Sequence, residues 1–380
     1  MNDKKSYLMI ISGLLTAGLT VGAQAQDGFS EALSKAVSEG TAKVDFRYRF
    51  ENVDDDAFAK DANASTLRSR LTFQSGTVGG FNGLLEFDNV TYVGSDDFNS
   101  TENGKVDRPV VADPKGTEVN QAWVKYGTES LSGIYGRQRI LHGSQRFVGG
   151  VAWRQNEQTY DGLRAQWGEA SNLHLDYAYV YNINRVFGPD DSAAQPANWK
   201  GNNHLARLDW KLGDNHTLSG FIYALEIDER GAWSPNKSVN NSTDTYGVDY
   251  SGNLGPVAVK AAYATQSDAG DSDLDYDADY YMLEGAMSSA GISGKLGYEV
   301  LGADNGVGFK TPLATAHKFQ GWADKFLTAP GDGIEDLYLG VTGNLGPVKL
   351  GAFYHDFSAE DSSEDFGTEW DLVGTWPISK

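Results

Sequence analysis

The sequence predicts an all-β fold: a transmembrane antiparallel up-and-down β-barrel of about 16 strands (roughly 14–18). Three observations predict it. An export leader opens the chain, apolar and polar residues then alternate with period two to the end, and short links alternate strictly with long ones.

In the leader, Lys4 and Lys5 precede the apolar run LMIISGLLTAGLTV (8–21), which GAQAQ follows. Ala23 and Ala25 hold the small-residue positions of an A-x-A site, so residues 1–25 read as a signal peptide cut after Ala25. The apolar run is shorter than the roughly 20 residues of a helical span, and no later segment approaches that length. Residues 26–40 are expected to form a short periplasmic segment. Within FSEALSKAVSEG (29–40), Phe29, Leu33, Ala36 and Val37 recur at helical spacing and Gly40 ends the pattern. Residues 41–380 then form a single outer-membrane barrel.

The first strand shows the alternation most plainly. In KVDFRYRF (43–50), Val44, Phe46, Tyr48 and Phe50 fall on one face, and Asp45, Arg47 and Arg49 on the other. Similar segments cover 42–52, 65–75, 81–93, 117–127, 131–140, 157–168, 172–184, 202–212, 215–227, 243–252, 256–267, 276–288, 291–301, 334–343, 346–357 and 366–376. GTVGG, GTES, GEAS, GDN, GNLG, SAG and a second GNLG make every other link short. The remaining links, such as 94–116, 141–156 and 302–333, are long. Outer-membrane barrels have this asymmetry, with tight periplasmic turns and long extracellular loops; a soluble sandwich has no reason to gather its long loops at one end. Aromatic strand ends agree with it. LHLDYAYVYNI (173–183) aligns Tyr177, Tyr179 and Tyr181, and EWDLVGTW (369–376) aligns Trp370 and Trp376, as the girdles at a bilayer's two interfaces require.

Composition excludes several functions. Without cysteine there is no disulfide framework and no thiolate metal site. A net charge of −21 argues against nucleic acid as a partner. Five aspartates alternate through DSDLDYDAD (271–279), but the glycine and distal glutamate of a calcium-binding loop are missing, so a solvated loop is expected and no cofactor.

If the apolar faces meet lipid, the opposite faces meet a lumen. Arg47, Arg49, Arg68, Arg70, Arg137, Arg139 and Arg164 fall on those faces, followed by Arg207, Lys211, Lys260 and Lys295. Guanidinium groups fixed in a narrow channel attract anions and fork around carboxylates. They also pair with luminal acids, and Glu86, Asp88, Asp209, Glu284 and Glu299 are placed for that. Two long links mix rings with cations: 141–158 carries Arg146, Phe147, Trp153 and Arg154, and 308–336 carries Lys318, Phe319, Trp322, Lys325 and Phe326. Such links either fold into the barrel and aim their charges at the pore, or cap it outside with a small core of their own.

Several longer motifs carry a resemblance. GRQRI (136–140), QRFVGGVAWRQNEQTYDGL (145–163), TEVNQAWVKY (117–126) and TPLATAHKFQGWADKFL (311–327), with RYRFE (47–51) and TLRSRL (66–71), resemble the outer-membrane family with an alginate-export-type domain. The resemblance covers nearly the whole chain after the leader. It implies a porin-like barrel passing small anionic solutes, or an anionic polysaccharide, through an arginine-lined pore. Arg47, Arg49, Arg68, Arg70, Arg137, Arg139, Arg146 and Arg154 are the pore-lining residues it implies. The expected surroundings are outer-membrane lipid, with the barrel a monomer or a trimer. Two other functions compete. Ser144 near His142 would suit a hydrolase, although no third group is placed to orient the pair. Large loops would also suit a structural or adhesive barrel.

Overall fold

The computed structural model describes residues 23–168, 172–192, 194–229 and 238–378, so most of the expected leader lies outside the described residues. A helix, α1 (Ala23–Ser38), precedes the sheet; its C-terminus falls two residues before Gly40. The strands are β1 (Thr41–Val53), β2 (Ala62–Gln74), β3 (Phe81–Asp97), β4 (Gly116–Gly127), β5 (Leu131–Gln138) and β6 (Thr159–Trp167). There follow β7 (Leu173–Asn184), β8 (Asn198–Lys211), β9 (His216–Leu225), β10 (Thr243–Leu254), β11 (Val257–Asp268) and β12 (Asp277–Ser289). The last are β13 (Ile292–Leu301), β14 (Ala303–Asp304), β15 (Val307–Gly308), β16 (Ile334–Leu345), β17 (Val348–Ser358) and β18 (Asp365–Thr375).

Sixteen of these form one sheet in chain order, each antiparallel to the next, and this sheet is the barrel wall. The remaining pair, β14 and β15, is a small hairpin inside the link from β13 to β16. Two-residue strands carry no period, which is why the alternation does not show them. Elsewhere the expected segments match the wall strands within a few residues. β5 ends at Gln138, and the backbone N–H of Arg139 beyond it donates to the Gln121 side chain (3.3 Å).

The register puts Tyr48 opposite Leu67 and Arg47 opposite Arg68, so rings and cations alternate across β1 and β2. The apolar faces point outward: Phe46 is 69% exposed and Leu283 60%. A continuous apolar exterior of this extent is stable only against hydrocarbon, and a hydrogen-bonded wall leaves few backbone groups unpaired there. Phe81, Tyr126, Trp167, Trp210 and Trp376 are exposed where the strands meet the short turns, the position of an interfacial girdle.

The two ends of the sheet are bridged from within. In the 302–333 link, the backbone N–H groups of Trp322 (2.5 Å) and Ala323 (2.7 Å) donate to Glu369 on β18. The neighbouring Asp324 accepts from Arg154, which also meets Glu51 on β1, while Lys325 pairs with Asp55 (2.6 Å) just beyond β1.

Close backbone approach fixes one glycine in β5. Gly136 has φ 125°, and a Cβ there would lie 2.3 Å from the Ala122 carbonyl oxygen on β4. Gly136→Ala is therefore expected to cost about 2–4 kcal/mol through backbone strain and lost pairing. The measurement is the temperature at which the folded, heat-modifiable band disappears in gels; an unchanged temperature would contradict the strain.

Candidate functional site

The 139–158 link contacts strands that are not neighbours in the sheet, so it crosses the interior. Arg47 on β1 donates to the carbonyls of Ala152 (2.9 Å), Trp153 (2.8 Å) and Arg154 (3.1 Å). Gln155 Nε2 donates to Thr66 Oγ1 on β2 (2.9 Å), and Arg146 Nε to Glu299 Oε1 on β13 (2.8 Å). The Phe147 ring packs against Phe221 on β9 and Tyr280 on β12, with centroids 4.8 and 5.2 Å away. The 302–333 link joins it there. Gly149 N donates to Leu313 O (2.8 Å), Thr315 N to Gln145 O (3.0 Å), and Arg146 Nη2 to Gln320 Oε1 (3.0 Å). Gln320 in turn donates to Glu299. Both ring-and-cation links thus lie within the barrel, with Phe147 and Phe326 packed against the main buried cluster that holds Tyr223, Phe309 and Leu313.

Around these links the arginines and acids form a lattice. Arg68 pairs with Asp45 (2.8 Å), and Arg70 forks onto Asp88 (2.6 and 2.5 Å) while reaching Glu157 (2.6 Å). Arg139 joins Glu157 to Glu86, and Arg137 forks onto Asp161 (2.8 and 3.1 Å). Arg164 holds Asp176 (2.8 Å) and Arg49 meets Glu51 (2.5 Å). Arg154 reaches Glu51 (3.3 Å) and Asp324 (3.2 Å). Lys318 donates to Ser144 O (2.8 Å), and Lys325 pairs with Asp55 away from the lattice. Arg47 differs from the arginines of this lattice. Among the described residues no carboxylate lies at ion-pair distance from it, and its hydrogen bonds all go to link carbonyls. Arg47, Arg49, Arg68, Arg70, Arg139 and Arg154 therefore converge on one sector, and Arg137, Arg146 and Arg164 stand around its edge.

Ring stacking ties this sector to the second link. The Arg49 guanidinium lies 4.1 Å above the Trp153 ring, and His317 stacks on the same indole (3.8 Å, 14°). His317 Nδ1 also meets Asp324 Oδ1 (2.6 Å), the carboxylate that Arg154 holds. Arg49 on the wall, Trp153 in one link and His317 in the other form a single column.

Two link carboxylates are tuned in opposite directions. Burial pushes the Asp113 carboxyl up, although Arg154 and Arg49 lie 4.0 and 3.8 Å away. Burial acts the same way on Glu157, but Arg139 and Arg70 outweigh it and hold that carboxyl below its ordinary range.

Sequence reasoning missed these acids and the run Gln155–Asn156–Glu157–Gln158, every member of which is buried. Four consecutive polar residues without a turn glycine, in a link already carrying rings, is the signal that could have found them. The hydrolase pairing is not formed: His142 points its Nδ1 at Tyr223 Oη (3.2 Å) and its Nε2 at Asp176 (3.6 Å). Among the described residues, no cluster of three or more acids or histidines is arranged to hold a metal ion. At the short-turn end, a cavity of about 410 Å³ lies among Lys211, His216, Thr217, Ser251 and Lys260.

Comparison with known proteins agrees with this architecture. The family model for alginate export matches residues 40–320. OccK3 (OpdO) of Pseudomonas aeruginosa is similar in structure, with TM-score 0.64 and 12% identity over 91% of this chain and 87% of that one. OccAB2 of Acinetobacter baumannii gives TM-score 0.65 and 12% identity over 89% and 87%, and OccK8 (OprE) of P. aeruginosa gives 0.61 and 13% over 89% and 88%. No curated protein matches the chain. With its sixteen-stranded wall and two inserted links, the chain belongs to the alginate export family and is a porin-like channel of the bacterial outer membrane.

Proposed function

We propose that this channel passes anionic solutes passively, an anionic polysaccharide among them. The cations it would work through are Arg47, Arg49, Arg68, Arg70, Arg137, Arg139, Arg154, Arg164, Lys318 and Lys325 at the pore, with the buried Arg146 holding the links that shape it. The observation that carries the proposal is the β1–β2 sector, where Arg47 and Arg68 face each other in register and Arg47 has only carbonyl partners. Like charges placed directly opposite destabilise a sheet, so a guanidinium held against a second one without a carboxylate of its own calls for a use. The resident acids give the lattice a second property. A guanidinium has five N–H donors, and one fork onto a fixed carboxylate leaves others free. A passing carboxylate can then exchange with resident acids at each step instead of being trapped, which is what conduction requires.

The test is the reversal potential of purified protein in planar bilayers under a potassium chloride gradient. Anion preference is expected, and Arg47→Gln should move the potential toward cations. A wild-type preference for cations would overturn the proposal.

A further inference from the structure

Helix α1 leaves the wall on its outer side. Gly40 joins the helix to β1, and a Cβ built there would lie 2.7 Å from Phe73 Cζ. Phe73 shares its face of β2 with Leu71, whereas Arg70 and Thr72, on the other face, reach the inner carboxylates of Asp88 and Glu86. The Phe73 ring that touches the Gly40 backbone therefore points toward lipid. Gly76 N donates to Ala36 O (2.7 Å), which seats the last helical turn on the β2–β3 turn at the short-turn, periplasmic rim.

Seated there, α1 presents an uncovered apolar stripe. Phe29, Leu33 and Val37 recur every fourth residue and are 59, 54 and 56% exposed. The helix's last turn meets the wall at the rim where the lipid-facing Val44 and Phe81 are as exposed as the stripe. On the opposite arc, Lys35 and Glu39 pair with each other at 3.9 Å and Glu31 adds one negative charge, so that arc offers anionic lipid no attraction. We infer that α1 lies along the periplasmic leaflet of the outer membrane, its apolar stripe sunk to the headgroup–acyl boundary as an interfacial anchor. Apolar burial rather than charge holds it, so its seat is indifferent to lipid charge and to salt.

Because the chain has no cysteine, single probes can be placed cleanly. Leu33→Cys on the stripe and Ser34→Cys beside it would each carry an environment-sensitive fluorophore. The labelled full-length protein is reconstituted in phosphatidylcholine vesicles with or without phosphatidylglycerol, and folding is confirmed by heat-shifted gel mobility. The label at position 33 should be blue-shifted and lose most of its emission to brominated acyl chains, in both lipids and at high salt. The label at 34 should stay water-like. A water-like label at 33 would overturn the inference. So would quenching confined to anionic vesicles, or, in unlabelled Leu33→Cys protein exposed to a mild oxidant, a disulfide between two copies.

Discussion

Replacing Arg146 by methionine is expected to destabilise the folded barrel by about 3–5 kcal/mol and to raise single-channel conductance. Arg146 and Glu299 are both nearly inaccessible, and they meet at 2.8 Å where the two inserted links join the wall at β13. Methionine fills similar space but leaves Glu299 with Gln320 and the Tyr280 hydroxyl (2.7 Å) as partners for a buried charge. Expelling or hydrating that charge requires the links to move, and they hold the lumen's cross-section. Urea denaturation of the protein in detergent reads the stability, and planar-bilayer recording reads the conductance. Adding Glu299→Met should restore part of the stability, because removing both charges avoids the unpaired one. A single variant with unchanged conductance would show that other contacts suffice to hold the links.

Glu157→Gln should have the second largest effect, with two readouts moving in opposite senses. Glu157 joins Arg70 (2.6 Å) to Arg139, and Arg68 lies 4.0 Å away. Loss of this buried anion is expected to cost about 3–5 kcal/mol. It also leaves three guanidinium groups less compensated, so the anion preference should rise as stability falls. The same change can be made by titration. The folded pKa of Glu157 lies below its unfolded value of about 4.3, so its stabilisation is complete above that value and is lost as the pH falls through the folded one. Wild type and Glu157→Gln should therefore differ at neutral pH and converge in acid. The check is reversal potential and unfolding midpoint for both proteins across that range; a constant difference would remove Glu157 from the lattice.

What the sequence made legible was whatever a period can carry. KVDFRYRF assigns Val44, Phe46, Tyr48 and Phe50 to one environment and Arg47 and Arg49 to another, because a strand residue's direction follows from its parity. The same rule reached Arg68, Arg70, Arg137 and Arg164, and the alternation of links fixed the order of the wall. Parity does not extend into the links. Glu157, Asp113, Gln320 and Asp324 owe their directions to tertiary contacts, and the partners of Arg146 and Arg154 lie 153 and 170 residues away at Glu299 and Asp324. The sequence could therefore nominate the cations of the site and the strand acids Glu86, Asp88 and Glu299 that pair with them, but not the link acids Glu157, Asp113 and Asp324 that also set their free charge. Arg139 marks the boundary: parity named it, but it lies past the last residue of β5 and is aimed by Glu157.

The bridge across the ends of the sheet has a consequence for assembly. Lys325 and Asp55 are separated by 270 residues, and the same segment caps Glu369 on the final strand. Contacts of such long range form slowly, because the intervening chain must first be ordered. The 302–333 link cannot hold both edges of the sheet until β18 has arrived, so it is a clasp that shuts last. Before it shuts, nothing in that link joins the first hairpin to the last, and the nascent wall can still widen to admit strands. Afterwards, opening the seam means extracting Arg154 and Asp324 together. Insertion is thus biased to run one way, and the clasp that completes the pore also records that assembly is finished.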